Sequence, residues 1–282
     1  MPDFPELPSP DHMAATLRAR LADGSPASFG RVDWMAQTGS TNADLLSRAR
    51  EQGNVGAPKP WLLGAHLQQA GRGRAGRAWQ NRPGAALMFS CAFDTALAPA
   101  GLPALSPLAG LAACEALRGI AGTAGSPLCI KWPNDVQWGQ AKLAGVLVET
   151  ARAAGAPSGG HTVVIGMGMN LCDGAALSRA LERDVADWSM VGCAAALSDV
   201  VAEVALAWRD ALAGIARDGF AAYIGRFRRL DALEGQDVQV LDRGQVLHRG
   251  LGCGVDAQGR LRVRTMDGEL PVSVGEISVR PA

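Results

Sequence analysis

Between Gly71 and Arg82 the chain reads GRGRAGRAWQNR, placing Arg72, Arg74, Arg77 and Arg82 on a glycine-rich stretch that also holds Trp79. Guanidinium groups present planar pairs of N–H donors that match the oxygens of a phosphate or carboxylate. Glycines between them let the backbone approach a ligand and move afterwards. Gly71-x-Gly73-x-x-Gly76 also satisfies the dinucleotide-binding spacing, but that motif works by leading into a helix whose N-terminus holds a pyrophosphate. Here it runs on as Arg77-Ala78-Trp79-Gln80-Asn81-Arg82-Pro83-Gly84, turn formers and polar residues followed by a strand. A P-loop is excluded because none of the three lysines, Lys59, Lys131 and Lys142, follows a glycine. An isolated Arg-Gly tract is ordinarily solvated surface, yet this one lies between two apolar strands and carries an indole. It reads as a lid for an anion.

Four further segments set polar residues in apolar context. Gly39-Ser40-Thr41-Asn42 opens a helix, with Thr41 or Asn42 as the expected N-cap; capping accounts for one of its polar side chains and leaves two. Lys131-Trp132-Pro133-Asn134-Asp135 ends an apolar run with a cation, an indole, an amide and a carboxylate, and reads equally as a plain turn. Lys142-Leu143-Ala144-Gly145-Val146 opens a strand and Gly166-Met167-Gly168-Met169-Asn170 closes the next, with glycines where a ligand or another chain segment comes close. There is no G-x-S-x-G and no Cys-His signature. The six cysteines never form C-x-x-C and read as buried thiols in a reducing compartment. The four histidines are scattered and read as structural or surface groups.

The elements that must carry these segments follow from the apolar periodicity. Strands are expected at Trp61–Gln68, Ala85–Phe93, Leu128–Trp132, Ala144–Glu149 and Thr162–Gly166, and helices at His12–Ala22, Asn42–Glu51, Ser106–Ala121, Cys193–Arg217 and Phe220–Leu230. From about Leu233 short alternating runs joined by Arg-Gly and Asp-Gly turns predict a small all-β unit. The 282 residues suffice for one or two domains, and 48% apolar against 19% charged residues is a globular composition. With 27 basic and 27 acidic residues the formal charge is zero, which argues against non-specific nucleic-acid or membrane-surface binding. The start lacks the basic and apolar regions of a secretion signal, and the apolar tract Ala98–Ala124, broken by prolines and charges, reads as a core helix, so a cytoplasmic protein is expected.

Taken together, Ser40-Thr41-Asn42, QQAGRGRAGRAW (Gln68–Trp79), KWPND (Lys131–Asp135), KLAGVLVE (Lys142–Glu149) and IGMGMN (Ile165–Asn170) resemble biotin protein ligases in order and spacing, over about Val32–Arg280. One departure is Ala75, where the family commonly has another arginine; this leaves Arg72, Arg74 and Arg77 to hold the anion. The resemblance implies an α+β fold: a mixed β-sheet with flanking helices, followed by a small C-terminal SH3-like β-barrel. It implies an N-terminal extension over 1–30, a catalytic domain over 31–232 and the barrel over 233–282. Some family members carry an N-terminal DNA-binding domain; thirty residues with five prolines leave no room for one, so the monofunctional type without nucleic-acid or membrane partners is expected.

The implied reaction joins biotin to ATP as biotinyl-5'-AMP and then passes the biotinyl group to a lysine of a biotin carboxyl carrier protein domain in a biotin-dependent carboxylase. The implied catalytic residues are Lys142 and Arg74. Biotin is implied to meet Ser40, Thr41, Asn42, Gln68, Arg72, Gly73, Arg74, Lys142 and Gly145. The adenylate is implied to meet Arg74, Arg77, Trp79, Lys131, Asn134 and Asn170. Mg²⁺ is implied to ride on the phosphates, with protein ligands left open. Asp135 either helps deprotonate the incoming amine or pins the turn after Trp132. The alternative on the same fold is acyl transfer of the lipoate-protein ligase type; octanoyl transferases also share the fold by resemblance and depend on a nucleophilic cysteine that forms a thioester. Whether the chain is a monomer or a homodimer is left open.

Overall fold

Alternation along the central strands builds the core. The structure, a computed structural model, describes residues 7–22, 24–25, 27–52, 57–152, 160–242, 244–275 and 278–281. In chain order the first unit comprises α1 (Pro10–Leu21), β1 (Arg31–Thr38), α2 (Thr41–Gln52), β2 (Trp61–Gln68), β3 (Ala86–Thr95), α3 (Leu105–Ala121), β4 (Leu128–Lys131), β5 (Asp135–Trp138), β6 (Ala141–Arg152), β7 (His161–Asn170), α4 (Gly174–Leu181), α5 (Trp188–Val191), α6 (Leu197–Asp218) and α7 (Ile224–Leu230). The strands form one sheet in the order β1-β2-β3-β7-β6-β5-β4, parallel only between β1 and β2. Leu62, Phe89, Cys91, Val163 and Ile165 point to the face covered by α1, α3 and α6. Their neighbours Leu63, Ala92 and Val164 point to the face covered by Leu45, Leu46 and Ala49 of α2. A strand buried on both faces reads as a continuous apolar run, which is how β3 reads.

The mixed sheet with flanking helices expected from the sequence is present, with two strands that the apolar pattern did not announce, β1 and β5, and two short helices, α4 and α5. Within the first thirty residues α1 buries Met13, Leu17 and Leu21 in the main core, and Arg18 Nε donates to Val32 O at 3.1 Å. Of the prolines near the start, Pro2 and Pro5 lie outside the described residues. The helix around Ala98–Ala124 is long and apolar enough to cross a membrane by composition, and most of it is buried against α6 and the sheet. The cysteines are free, but only Cys91 and Cys114 are fully buried; Cys129, Cys172, Cys193 and Cys253 are half-buried, contrary to expectation.

The second unit is antiparallel: β8 (Asp237–Asp242), β9 (Gln245–Val255), β10 (Leu261–Thr265), β11 (Gly268–Val272) and β12 (Ser278–Pro281), ordered β11-β10-β9-β8-β12. It is clamped to the first. Ala232 N donates to Ile130 O at 2.9 Å, and Trp132 Nε1 donates to Gly259 O at 2.9 Å in the β9–β10 turn. Gly259 adopts φ +73° and a Cβ there would lie 3.0 Å from Pro107 Cγ, so a glycine lets this turn dock on the start of α3.

At the joint, Asp231 Oδ1 accepts from Leu233 N at 2.9 Å while Oδ2 is buried without a partner among the described residues. Burial, with Glu234 nearby, raises its pKa from 3.8 to about 7, opposed by the Leu233 N–H. Between those values the folded chain keeps a proton that the unfolded chain has released, so stability falls as pH climbs from 3.8 through about 7 and levels off above. Asp231→Asn removes that loss. In urea unfolding its stability relative to the native chain should be more favourable at pH 8 than at pH 5, by on the order of a few kcal/mol; a pH-independent difference would refute the buried-proton account.

Candidate active site

A cleft of about 970 Å³ opens over the centre of the large sheet and is closed on one side by the small one. Its floor begins at α2. Ser40, not Thr41 or Asn42 as expected, caps that helix: its Oγ accepts from Ala43 N at 3.4 Å and its carbonyl from Asp44 N. This frees the next two side chains. Thr41 N donates to Gln68 Oε1 at 2.8 Å, Thr41 Oγ1 lies 2.6 Å from Ser90 Oγ, and Ser90 Oγ donates to Asn42 Oδ1 at 2.6 Å. Asn42 Nδ2 donates to Glu149 Oε2 at 2.9 Å, and Arg72 Nη2 reaches the same carboxylate at 3.4 Å.

The arginine stretch folds as a tight flap rather than leading into a helix. Gly73 N donates to Arg77 O at 2.7 Å and Trp79 N to Gly71 O at 2.8 Å; Ala75 at the tip has φ 54° and ψ 34°. Asn81 staples the flap's far end to Gln68 through both of its amide groups. Trp79 lies on the sheet against Gly145 and Gly168. A Cβ at Gly168 would come 2.5 Å from the indole, so this glycine leaves room for the ring, while a Cβ at Gly145 would crowd Lys142 Nζ at 3.1 Å. Lys142 Nζ stands 5.6 Å from the ring centroid, within cation–π range, and Trp79 Nε1 is buried with no partner among the described residues.

Lys142 is held at 2.6 Å by Asp135 Oδ1, both side chains mostly shielded from water. Lys131, Trp132 and Asn134 share the wall formed by the β4–β5 turn. Asn134 ties that turn to Val146, donating through Nδ2 and receiving Val146 N at 3.0 Å. Arg74 Nη1 donates to Asn134 Oδ1 at 3.3 Å and Nη2 to Gly275 O at 2.7 Å, stitching the flap to the small sheet. Burial lowers the Arg74 pKa, Asp135 opposes this and Arg77 adds to it. A guanidinium stays charged through such a shift, so Arg74 is a desolvated cation that an arriving anion would stabilise.

The cleft therefore gathers Ser40, Thr41, Asn42, Gln68, Arg72, Gly73, Arg74, Arg77, Trp79, Lys131, Asn134, Lys142 and Gly145. Asn170 is the exception. Its side chain is buried behind the wall, donating to Lys142 O at 3.3 Å and Ala186 O at 3.1 Å, and it holds the Lys142 backbone instead of facing the cleft. Ser90 and Glu149 join the site without having been singled out. Ser90 could have been noticed as a lone hydroxyl in the apolar run AALMFSCAF; Glu149 ends KLAGVLVE, but its partner lies 107 residues away.

Comparison with known proteins gives the chain a family. Biotin--[acetyl-CoA-carboxylase] ligase of Mycobacterium tuberculosis is 31% identical over 93% of this chain and 93% of its own length. The chain belongs to the biotin protein ligase family. Residues 34–170 match the Biotin/lipoate A/B protein ligase family and residues 235–280 the Biotin protein ligase C terminal domain. Bifunctional ligase/repressor BirA of Salmonella typhimurium is also 31% identical, over 98% of this chain and 81% of its own. The biotin protein ligase from Aquifex aeolicus, solved in complex with biotin and ATP, superposes with TM-score 0.71 over 90% of this chain and 99% of its own at 24% identity, a likeness of fold.

In this family member the fit of indole to glycine can be tested. Gly168→Ala should push Trp79 off the sheet and weaken ATP binding about ten-fold, or ~1.4 kcal/mol, in calorimetric titration. Unchanged ATP affinity would show that the ring's seat has no part in nucleotide binding.

Proposed function

We propose that this chain activates biotin with ATP to biotinyl-5'-AMP and pyrophosphate, then transfers the biotinyl group to a lysine of a biotin carboxyl carrier domain. The observation that carries this reading is the Lys142 ammonium, held by Asp135 between the hydroxyl- and amide-lined floor and the arginine flap. A carboxylate and an α-phosphate about 4 Å apart repel by ~1 kcal/mol in water and ~4 kcal/mol at an effective dielectric near 20. A fixed cation at their meeting point offsets this, and more so as charge builds in the transition state.

In the first step a biotin carboxylate oxygen bonds to the α-phosphorus and the bond to the β-phosphate oxygen breaks, releasing pyrophosphate. Lys142 bridges the two reacting groups, and Arg74 and Arg77 take the phosphates. Ser40, Thr41 and Gln68, with the backbone at Arg72 and Gly73, meet the ureido ring, and Gly145 lets the ligand lie close to β6. Asn42, expected there as well, has its amide committed to Glu149, Leu147 and Ser90 and acts through them. Trp79, Lys131 and Asn134 serve the adenylate side; Asn170 acts indirectly, by fixing Lys142. In the second step the carrier amine attacks the acyl carbon, AMP leaves with the bonding pair and the nitrogen sheds a proton. Asp135, already paired with Lys142, positions the ammonium in preference to acting as a base. Mg²⁺ would be held by the nucleotide's phosphates, where it would offset their charge; the described residues hold no group of three or more carboxylate, imidazole or thiol side chains that could hold a metal.

The same reading takes 31–232 as the catalytic domain and 233–282 as a domain that completes the nucleotide side, supported by Leu233, Gln236, Gly275 and Val279 in the cleft wall. It places the protein in the cytoplasm with its carrier. Thioester chemistry on a cysteine, as in octanoyl transfer, is disfavoured. Cys129 reaches the cleft, but burial, with Asp231 nearby, raises its pKa to about 11, leaving little thiolate at neutral pH.

Incubation with an apo carrier domain, ATP and either biotin or lipoate decides the matter by mass spectrometry. The expected result is an ATP-dependent biotinyl mass shift on one lysine and none with lipoate. A lipoyl shift, or modification without ATP, would overturn the proposal.

A further inference from the structure

Glu149 is outside the set of residues assigned above to ligand contact, yet it ends a continuous hydrogen-bonded chain that crosses the floor of the cleft. The direction of that chain can be deduced. Asn42 Nδ2 faces two acceptors, Glu149 Oε2 at 2.9 Å and Leu147 O at 3.4 Å, which fixes the amide's orientation. Its Oδ1 must then accept, and Ser90 spends its single hydroxyl proton there, at 2.6 Å. Ser90 can only accept from Thr41, whose Oγ1 is 2.6 Å away; two hydroxyl oxygens at that distance require a proton between them. Thr41 Oγ1 also approaches Gln68 Oε1 at 3.3 Å, but that oxygen already receives the Thr41 backbone N–H at 2.8 Å. With its proton committed to Ser90, Thr41 presents lone pairs to the cleft. Gln68, with its oxygen committed, has its amide N–H groups left as donors.

We infer that Glu149 is a positioning residue for ligand recognition: its carboxylate, which offers only acceptors and holds Asn42 Nδ2 at 2.9 Å against 3.4 Å for Leu147 O, is the stronger of the two groups that set the direction of the Thr41–Ser90–Asn42 relay. The threonine hydroxyl is thereby presented as an acceptor for a ligand N–H. The relay is built for this purpose in the packing as well. Thr41, Asn42 and Ser90 are buried, and a Cβ at Gly166 would fall 2.1 Å from Asn42 Oδ1 and 2.8 Å from Ser90 Oγ, so β7 carries a glycine where the relay crosses it. The same carboxylate receives Arg72 from the flap, so the relay and the flap share one anchor. A neutral or reversed chain would turn a hydroxyl proton toward the ligand and favour a carbonyl or ether oxygen where this site takes an N–H. The inference rests on biotin as the ligand, since a ureido ring supplies N–H donors of this kind.

The test compares biotin with its two carbamate analogues, in each of which one ureido N–H is replaced by oxygen, by calorimetric titration of the intact protein. The native chain should prefer biotin about ten-fold or more over at least one analogue. In Glu149→Ala that preference should collapse toward parity, biotin losing affinity while the disfavoured analogue loses little. Glu149→Gln retains one acceptor and should fall between them, and it provides the reading if the alanine variant does not fold. Equal weakening of biotin and both analogues, or an undiminished preference in Glu149→Gln, would make Glu149 a merely structural residue and overturn the inference. Failure of the native chain to bind biotin at all would instead overturn the function on which the inference rests.

Discussion

An ammonium group kept in a half-closed cleft needs a reason to stay, and the Lys142–Asp135 pair supplies it. A surface lysine would exchange partners with water at little cost; here both side chains are mostly shielded and 2.6 Å apart. The backbone fixes where the lysine starts. Lys142 N donates to Asp184 O and Lys142 O accepts from Ala186 N and from the Asn170 amide, so a segment far along the chain grips the lysine on both sides. An irregular register between β5 and β6 at Val136 and Gln137 shifts the lysine relative to the strand that carries Asp135. Around this fixed charge the other features fall into order, with the polar floor on one side, the flap above and Trp79 between.

The flap is held from both units at once. Arg74 bonds to Asn134 on the large sheet and to Gly275 beside the small one. Trp132, two residues before Asn134, carries the second contact with the small sheet through Gly259. A guanidinium taken out of water is an unfavourable arrangement until an anion arrives, and the neighbouring Arg77 adds to that. The cleft thus holds a cationic cluster that gains most when a phosphate enters, which favours nucleotide binding without a dedicated phosphate loop.

Much of this was legible in the sequence because the chemistry is local. The arginine flap, KWPND and KLAG each lie in one short run, and strands such as Trp61–Gln68 follow directly from apolar patterning. What escaped depends on distance along the chain. The cap at Ser40 could not be told from Thr41 or Asn42, because the choice is made by Gln68, Ser90 and Glu149, which claim the other two side chains. Asn170 was expected at the adenylate from the family resemblance; its side chain is instead spent on the Lys142 and Ala186 carbonyls. β5 was hidden because four residues after a turn carry too little periodicity, and β1 because only Val32 and Trp34 of it are buried.

The claim that organises this account is that Lys142 acts on charge that develops during adenylate formation rather than on ligand binding. Pyrophosphate release by Lys142→Ala, measured alongside biotin affinity, tests it most directly. The account predicts that release falls by a factor of a hundred or more, ~2.7 kcal/mol or above, while biotin affinity changes by less than about ten-fold. Near-normal pyrophosphate release by the folded variant would contradict it.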